Sequence, residues 1–126
     1  MKITGFCPLV VTKDAEATQA LFEALGFERR HTKTDIEGGA NINYAMKDAN
    51  GNRINIASSE TIERDITSMS MNVDNFQEAY DFLISKGFVN PRGDKVTDTS
   101  SSRATMLISP SGFPITISEH IKKEEE

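Results

Sequence analysis

Three side chains could serve as nucleophile or base at neutral pH: one cysteine, Cys7, and two histidines, His31 and His120. A thiol beside an imidazole can become a thiolate, its reactive form. Cys7, however, stands in the apolar stretch "ITGFCPLVV", where a small buried residue is its expected role. His31 lies in the charge-rich "ERRHTKT", most simply on a solvent face. His120 comes just past the last apolar run, at an exposed strand end or at a rim. A Cys7–His120 couple would need two strand ends to meet and a further group to orient the base, and nothing in the spacing provides either. No catalytic residue is assigned.

A second set of residues is more informative. "SMSMNV" (68–73) alternates small polar and larger apolar side chains, the signature of a strand with two different faces. Met69, Met71 and Val73 are expected to point into a core, leaving Ser68, Ser70 and Asn72 opposite. "RINIA" (53–57) and "PITIS" (114–118) repeat the pattern, with Ile54/Ile56 against Asn55/Ala57 and Ile115/Ile117 against Thr116/Ser118. The second face is small and polar and is read as lacking Lys, Glu and Arg. A water-exposed sheet face usually carries long charged side chains, and a second core would be apolar. A curved sheet around a solvated cavity fits better, with an exposed Ser/Thr-rich face as the alternative.

These strands need a frame. The 126 residues suit one domain with its own core, and 37% hydrophobic with 26% charged residues is ordinary for a soluble protein. A net charge of −5 argues against nucleic-acid binding, which relies on cations meeting phosphates. Neither a membrane-length apolar run nor a leader pattern is seen, and a lone cysteine suits a reducing cytoplasm.

An internal repeat organises the chain. "LFEALGF" (21–27) matches "FLISKGF" (82–88), and "ANGNRINIAS" (49–58) matches "SPSGFPITIS" (109–118). Gly26 and Gly87, Phe27 and Phe88, and Gly51 and Gly112 all lie 61 positions apart. The chain therefore reads as a single domain of two modules, about 1–59 and about 66–120, with a solvated tail at 121–126.

Each module predicts the order β-α-β-β-β. In the first, a strand over 3–12 leads to an Asp14 cap and a helix over 15–25 ended by Gly26. Ala17, Leu21, Phe22 and Leu25 are its expected buried stripe. Strands follow around a Gly38-Gly39 turn and a turn at "DANGN". The second module predicts a strand over 67–73, a cap at Asp74 or Asn75, a helix over 76–86, and strands near 88–91, 103–108 and 113–119. Met46, Met69, Met71 and Met106 are expected as core filler.

The doubled unit, with "TKDAEATQALFEALGFE" after the first strand and a Gly-x-x-Ile-x-Ile ending in each copy, resembles the vicinal oxygen chelate superfamily from about Met1 to His120. That group includes glyoxalase I, extradiol dioxygenases, and fosfomycin- and bleomycin-resistance proteins. The resemblance implies an α+β fold in which two tandem βαβββ modules form a curved, cup-shaped mixed sheet with helices on its convex face. Metal-dependent members place a His on the first strand of a module and a Glu on the last. Here those positions read Cys7 and Asn55 in the first copy, Ser68 and Thr116 in the second. No His or carboxylate stands there, so neither a metal nor any other cofactor is expected. Glu119 has the wrong parity to be a ligand without a slip of register.

The resemblance thus implies a metal-independent protein of the bleomycin-resistance type, more binder than enzyme, holding a small organic molecule. The residues expected to line the cup are Cys7, Asn55, Ser68, Ser70, Thr116 and Ser118. Tyr44 would stack on a flat ligand if it faces inward, and Arg103 would guide an anionic group unless it lies in water. The loop 97–102 is the candidate lid, and the acidic balance mildly favours a cationic ligand. A homodimer is expected by fold analogy. The alternatives are a lyase, isomerase or dioxygenase with an unconventional metal site, and a ligand-free domain that binds another protein through an apolar patch.

Overall fold

The structure, a computed structural model, describes the backbone of residues 1–36, 41–98 and 102–120, and the side chains of 1–30, 43–98 and 102–120. In chain order the elements are β1 (Ile3–Thr12), α1 (Ala15–Ala24), β2 (Glu28–Ile36), β3 (Asn41–Lys47), β4 (Arg53–Ser58), β5 (Ile66–Val73), α2 (Phe76–Ser85), β6 (Thr97–Asp98), β7 (Ser102–Ile108) and β8 (Pro114–His120). This is the β-α-β-β-β order twice, an α+β fold with mixed strand pairing. The two helices begin and end 61 residues apart, as the repeat requires.

Both helices are framed by the same chemistry. The Asp14 carboxylate accepts from the Ala17 N–H at 3.0 Å, and the Asn75 amide oxygen accepts from the Glu78 N–H at 3.0 Å. Each occupies a donor that the first turn leaves unpaired. At the other end, Phe27 N–H reaches the Phe22 carbonyl and Gly26 N–H the Glu23 carbonyl, at 2.9 and 3.0 Å. Phe88 with Leu83 and Gly87 with Ile84 repeat the pair at 3.1 and 3.0 Å. This paired closure needs a left-handed residue, and Gly26 and Gly87 have φ of +108° and +96°. The recurring Gly-Phe is therefore a helix terminator whose Phe folds back onto the helix.

The chain forms two compact units, Cys7–Ser68 and Met1–Phe6 with Met69–Glu126. The first six residues thus group with the second repeat. Lys2 N–H donates to the Asp74 carboxylate at 2.6 Å, Asp74 N–H donates to the Lys2 carbonyl at 3.0 Å, and the Met1 amino group pairs with Glu78.

In the unit Cys7–Ser68, β2, β3 and β4 pair antiparallel and β4 pairs parallel with β1. Its core is Ala15, Tyr44, Met46, Ile54 and Ile56, with Val10, Phe22 and Phe27 packed against it. The expected helix stripe is corrected. α1 buries Ala15 and Gln19 with Phe22 half-buried, whereas Ala17 is exposed and Leu21 and Leu25 stand 56% and 63% exposed. The edge-on contact of Phe22 with Phe27, ring centres 5.5 Å apart, holds the helix in that rotation.

In the other unit β5 pairs parallel with β8, and β8, β7 and β6 pair antiparallel. Met71, Val73, Phe76, Ala79, Leu83, Leu107 and Ile117 form its core. Met69 does not join them: it stays 37% exposed, beyond the reach of the α2 cluster. Nor does a strand form at 88–91; Val89 makes a single bridge to Ile108. Asn90 then turns the chain, its side-chain oxygen accepting from Arg92 N–H at 2.9 Å and its carbonyl from Gly93 N–H at 3.0 Å, with Pro91 between. The short β6 takes the strand's place. The lid expected at 97–102 is corrected at its ends, since Thr97 and Asp98 are in β6 and Ser102 opens β7; residues 99–101, the Gly38-Gly39 turn and the tail at 121–126 lie outside the described residues.

The two terminating glycines differ in their surroundings. A Cβ at Gly87 would come within 2.9 Å of Pro110 Cγ, while one at Gly26 would meet nothing within 4 Å. Gly26→Ala should cost about 1–3 kcal/mol from backbone strain alone, and Gly87→Ala should cost more, as measured by urea denaturation.

Candidate functional site

Paired strand positions share a face, so the registers sort every side chain. In the unit Met1–Phe6 with Met69–Glu126, Ser70 lies opposite Thr116 and Asn72 opposite Ser118. β7 continues the rows, with Met106 opposite Thr116 and Ala104 opposite Ser118. Met71, Ile117 and Thr105 fill the intervening row and face α2. Ser70, Asn72, Thr116 and Ser118 therefore form one small polar face, as the alternation predicts. Ser118 Oγ donates to the Asn72 side-chain oxygen. Ser70 is buried and, like Thr116, already engaged by a partner. Gly5 on β1 leaves the space Asn72 uses, since a Cβ there would stand 3.1 Å from its Nδ2. Met106 is corrected from core filler to this polar face, because register gives it the parity of Ala104.

In the unit Cys7–Ser68, Leu9 pairs with Asn55 and Val11 with Ala57, while Ala45 and Asn43 flank these from β3. Cys7 has the parity of Leu9 and so shares the Asn55 face. Its thiol is half-buried, and that burial pushes its pKa above the ordinary value, opposed in part by the positive charge of Arg53. Ser68 is buried and has a partner of its own.

Two expected site residues are on neither face. Tyr44 pairs with Ile56 and is buried in the core with Ala15, and Arg29 lies over its ring with 5.6 Å to the centroid. Its slot is that of a core aromatic, not of a ligand platform. Arg103 pairs with Glu119 on the helix side. Its guanidinium stacks 4.9 Å from the Phe76 ring centroid and binds Asp98 at 3.1 Å. Both corrections follow from parity: Tyr44 and Arg103 are each one residue out of phase with the polar rows. Arg53 is corrected in the opposite sense. It has the phase of Asn55, so the polar face does carry a guanidinium. His120 is exposed at the end of β8, and the His31 side chain lies outside the described residues.

Glu119 gains a role that strand pattern alone does not show. Its carboxylate accepts from Phe76 N–H at 2.6 Å, at the first turn of α2, where a negative charge also meets the helix dipole. The acid closest in sequence to Thr116 is thus spent on the opposite face.

The divalent ion that the resemblance implies does not fit this donor set. Such an ion needs imidazole, carboxylate or thiolate ligands. The four corresponding positions offer two hydroxyls, one amide and a single thiol, with no imidazole or carboxylate. Among the described residues no three of His, Cys, Asp and Glu come together. Among them too, no helix is long and apolar enough to cross a membrane.

No protein-family model matches the chain, and no curated protein matches it. Solved structures do. A methylmalonyl-CoA epimerase from Mycobacterium tuberculosis superimposes with a TM-score of 0.69 at 12% identity, covering 95% of this chain and 90% of that one. A glyoxalase/bleomycin resistance protein/dioxygenase superfamily member from Vibrio splendidus 12B01 gives 0.59 at 13%, covering 94% and 99%. Glyoxalase I from Zea mays gives 0.66 at 12%, covering 96% of this chain and 44% of that one. The chain has the vicinal oxygen chelate fold, on which unrelated chemistries are built.

Removing the Glu119 carboxylate tests its assignment. Glu119→Ala should destabilise the protein by about 1–2 kcal/mol, the value of a lost helix-end acceptor. Glu119→Gln, which keeps an oxygen, should recover part of the loss in chemical denaturation.

Proposed function

We propose that the protein binds a small organic molecule on its small polar strand faces without a metal ion. The observation that carries this reading is the division of labour along β8. Thr116 and Ser118 are on the polar face, and Glu119, the nearby carboxylate that could hold a cation, is turned away and bonded to α2. Hydroxyl and amide groups of this kind orient a ligand by hydrogen bonds. The proposed contacts are Ser70, Thr116 and Ser118 in one unit, with Met106 adding an apolar patch, and Cys7, Asn55 and Ser68 in the other. Enzymes are among the structures that share the fold, and at 12–18% identity that likeness supports the fold alone. The same proposal includes a cytoplasmic homodimer. Large apolar side chains left exposed, Ile3, Phe6, Phe82 and Phe113 among them, supply surface for pairing.

A thermal-shift screen of small organic compounds in buffer containing EDTA tests the reading. A ligand at a hundredfold its Kd should stabilise the protein by about 2.7 kcal/mol. Thr116→Phe and Asn55→Phe, checked as folded by circular dichroism, should lose that shift. Compounds that bind only when Zn, Mn, Ni or Fe is added would instead favour an enzyme.

A further inference from the structure

The polar face of the unit Cys7–Ser68 has an electrostatic feature that its counterpart lacks. β3 and β4 place Lys47 directly opposite Arg53, and the next row places Ala45 opposite Asn55. In the parallel register Leu9 meets Asn55. Two residues earlier on both strands, Cys7 comes level with Arg53, whose charge acts on the thiol. One row therefore reads Glu28, Lys47, Arg53 and, by continuation of the register, Cys7, and the next reads Ala45, Asn55, Leu9, all on one face. Like charges directly opposite across antiparallel strands repel.

The nearby carboxylates do not remove that repulsion. Asp48, next to Lys47, is committed to its own turn. Its Oδ1 accepts from Asn50 and Asn52 N–H at 2.9 and 2.8 Å, and its Oδ2 from Asn52 Nδ2 at 2.8 Å. Glu28 lies opposite Lys47 from β2 and stands 4.0 Å from Arg30. It is the carboxylate nearest Lys47 in the row, and among the described residues no carboxylate is in register with Arg53. Among the described residues neither Lys47 nor Arg53 forms an ion pair. The flanking Ala45 and Ala57 keep the surface beside Arg53 and Asn55 low.

We propose that this row is an oxyanion subsite, and that the ligand presents to it a carboxylate or phosphate group. This inference rests on the reading that the polar face takes a ligand, and it names the ligand's charge. Arg53 takes the oxyanion through its planar fork, the geometry suited to two oxygens at once. Asn55 stands beside it, and Lys47 adds a second positive charge. Net charge mildly favoured a cationic ligand; the local charge where the ligand would lie is positive and outweighs that preference. Binding an anion here would also relieve the Lys47–Arg53 repulsion.

Inorganic phosphate is the probe. Titrated into 15N-labelled protein at pH 7.5, it should give saturable shifts at the Arg53 and Asn55 amides. Arg53→Gln should weaken binding at least about tenfold, the loss expected for a charge-assisted bond, and Arg53→Lys should restore part of it. Apo Arg53→Gln should be as stable as the wild type or more so, because it removes a like-charge pair. Phosphate should also slow alkylation of Cys7 by iodoacetamide, a readout that a purely structural Arg53 would not move. Shifts absent, non-saturable, or unchanged in Arg53→Gln overturn the subsite. If neutral compounds still bind in the screen above, the subsite alone has failed; if phosphate binds at Arg53 but no organic compound is found, the broader reading has failed.

Discussion

The parallel pairing of the first and last strands of each repeat is the constraint on which the site depends. Once Leu9 meets Asn55, and Ser70 meets Thr116, strand parity assigns every neighbouring side chain to one face or the other. Ile56 and Ile117 go under the helices and are fully buried. Thr116 cannot exchange places with Glu119, because a one-residue slip would expose Ile117 and bury Thr116 in its stead. Such a slip would forfeit about 1.5–3 kcal/mol for each large apolar side chain brought out. The chemistry of the polar face is therefore held in place by the core behind it.

That constraint gives the two repeats different characters on a shared plan. In one, the face is neutral, with Asn72 and Ser118 bonded to each other beside Thr116 and Met106. In the other, Cys7 and Asn55 share their face with Arg53 and Lys47. The first face thus offers hydrogen-bonding groups, and the second adds positive charge.

Much of the fold was legible because the signals were local and repeated. Gly26 and Gly87 require positive φ, Asp14 and Asn75 cap, and a common offset aligns them. The rotation of α1 was not legible, because Leu21 and Leu25 are more hydrophobic than Gln19, whereas Ala15 and Phe22 pack on the core and Phe22 also meets Phe27 across the helix end. The strand at 88–91 failed for a similar reason: the Asn90 turn, closed by side-chain and backbone bonds, outweighs the β-propensity of Phe88 and Val89. In the site, the alternation in β4, β5 and β8 was readable, and so was that of β3, where Tyr44 and Met46 alternate with Asn43, Ala45 and Lys47. β7 shows no clean alternation, and the face of Arg103 is set by its register with β8. Arg53 was within reach of the same parity that identified Asn55. The partner of Glu119 lies 43 residues away at a helix terminus, beyond any local pattern.

Metal content tests the central claim most directly. Tag-free protein is incubated with Zn, Mn, Ni and Fe, separated from free ions, and measured by elemental mass spectrometry. A donor set of two hydroxyls, an amide and a single thiol, without imidazole or carboxylate, predicts metal far below one ion per chain in every case. One equivalent of any of these ions, retained and then lost on replacing Cys7 or Asn55, would contradict the account and make the site a metal centre.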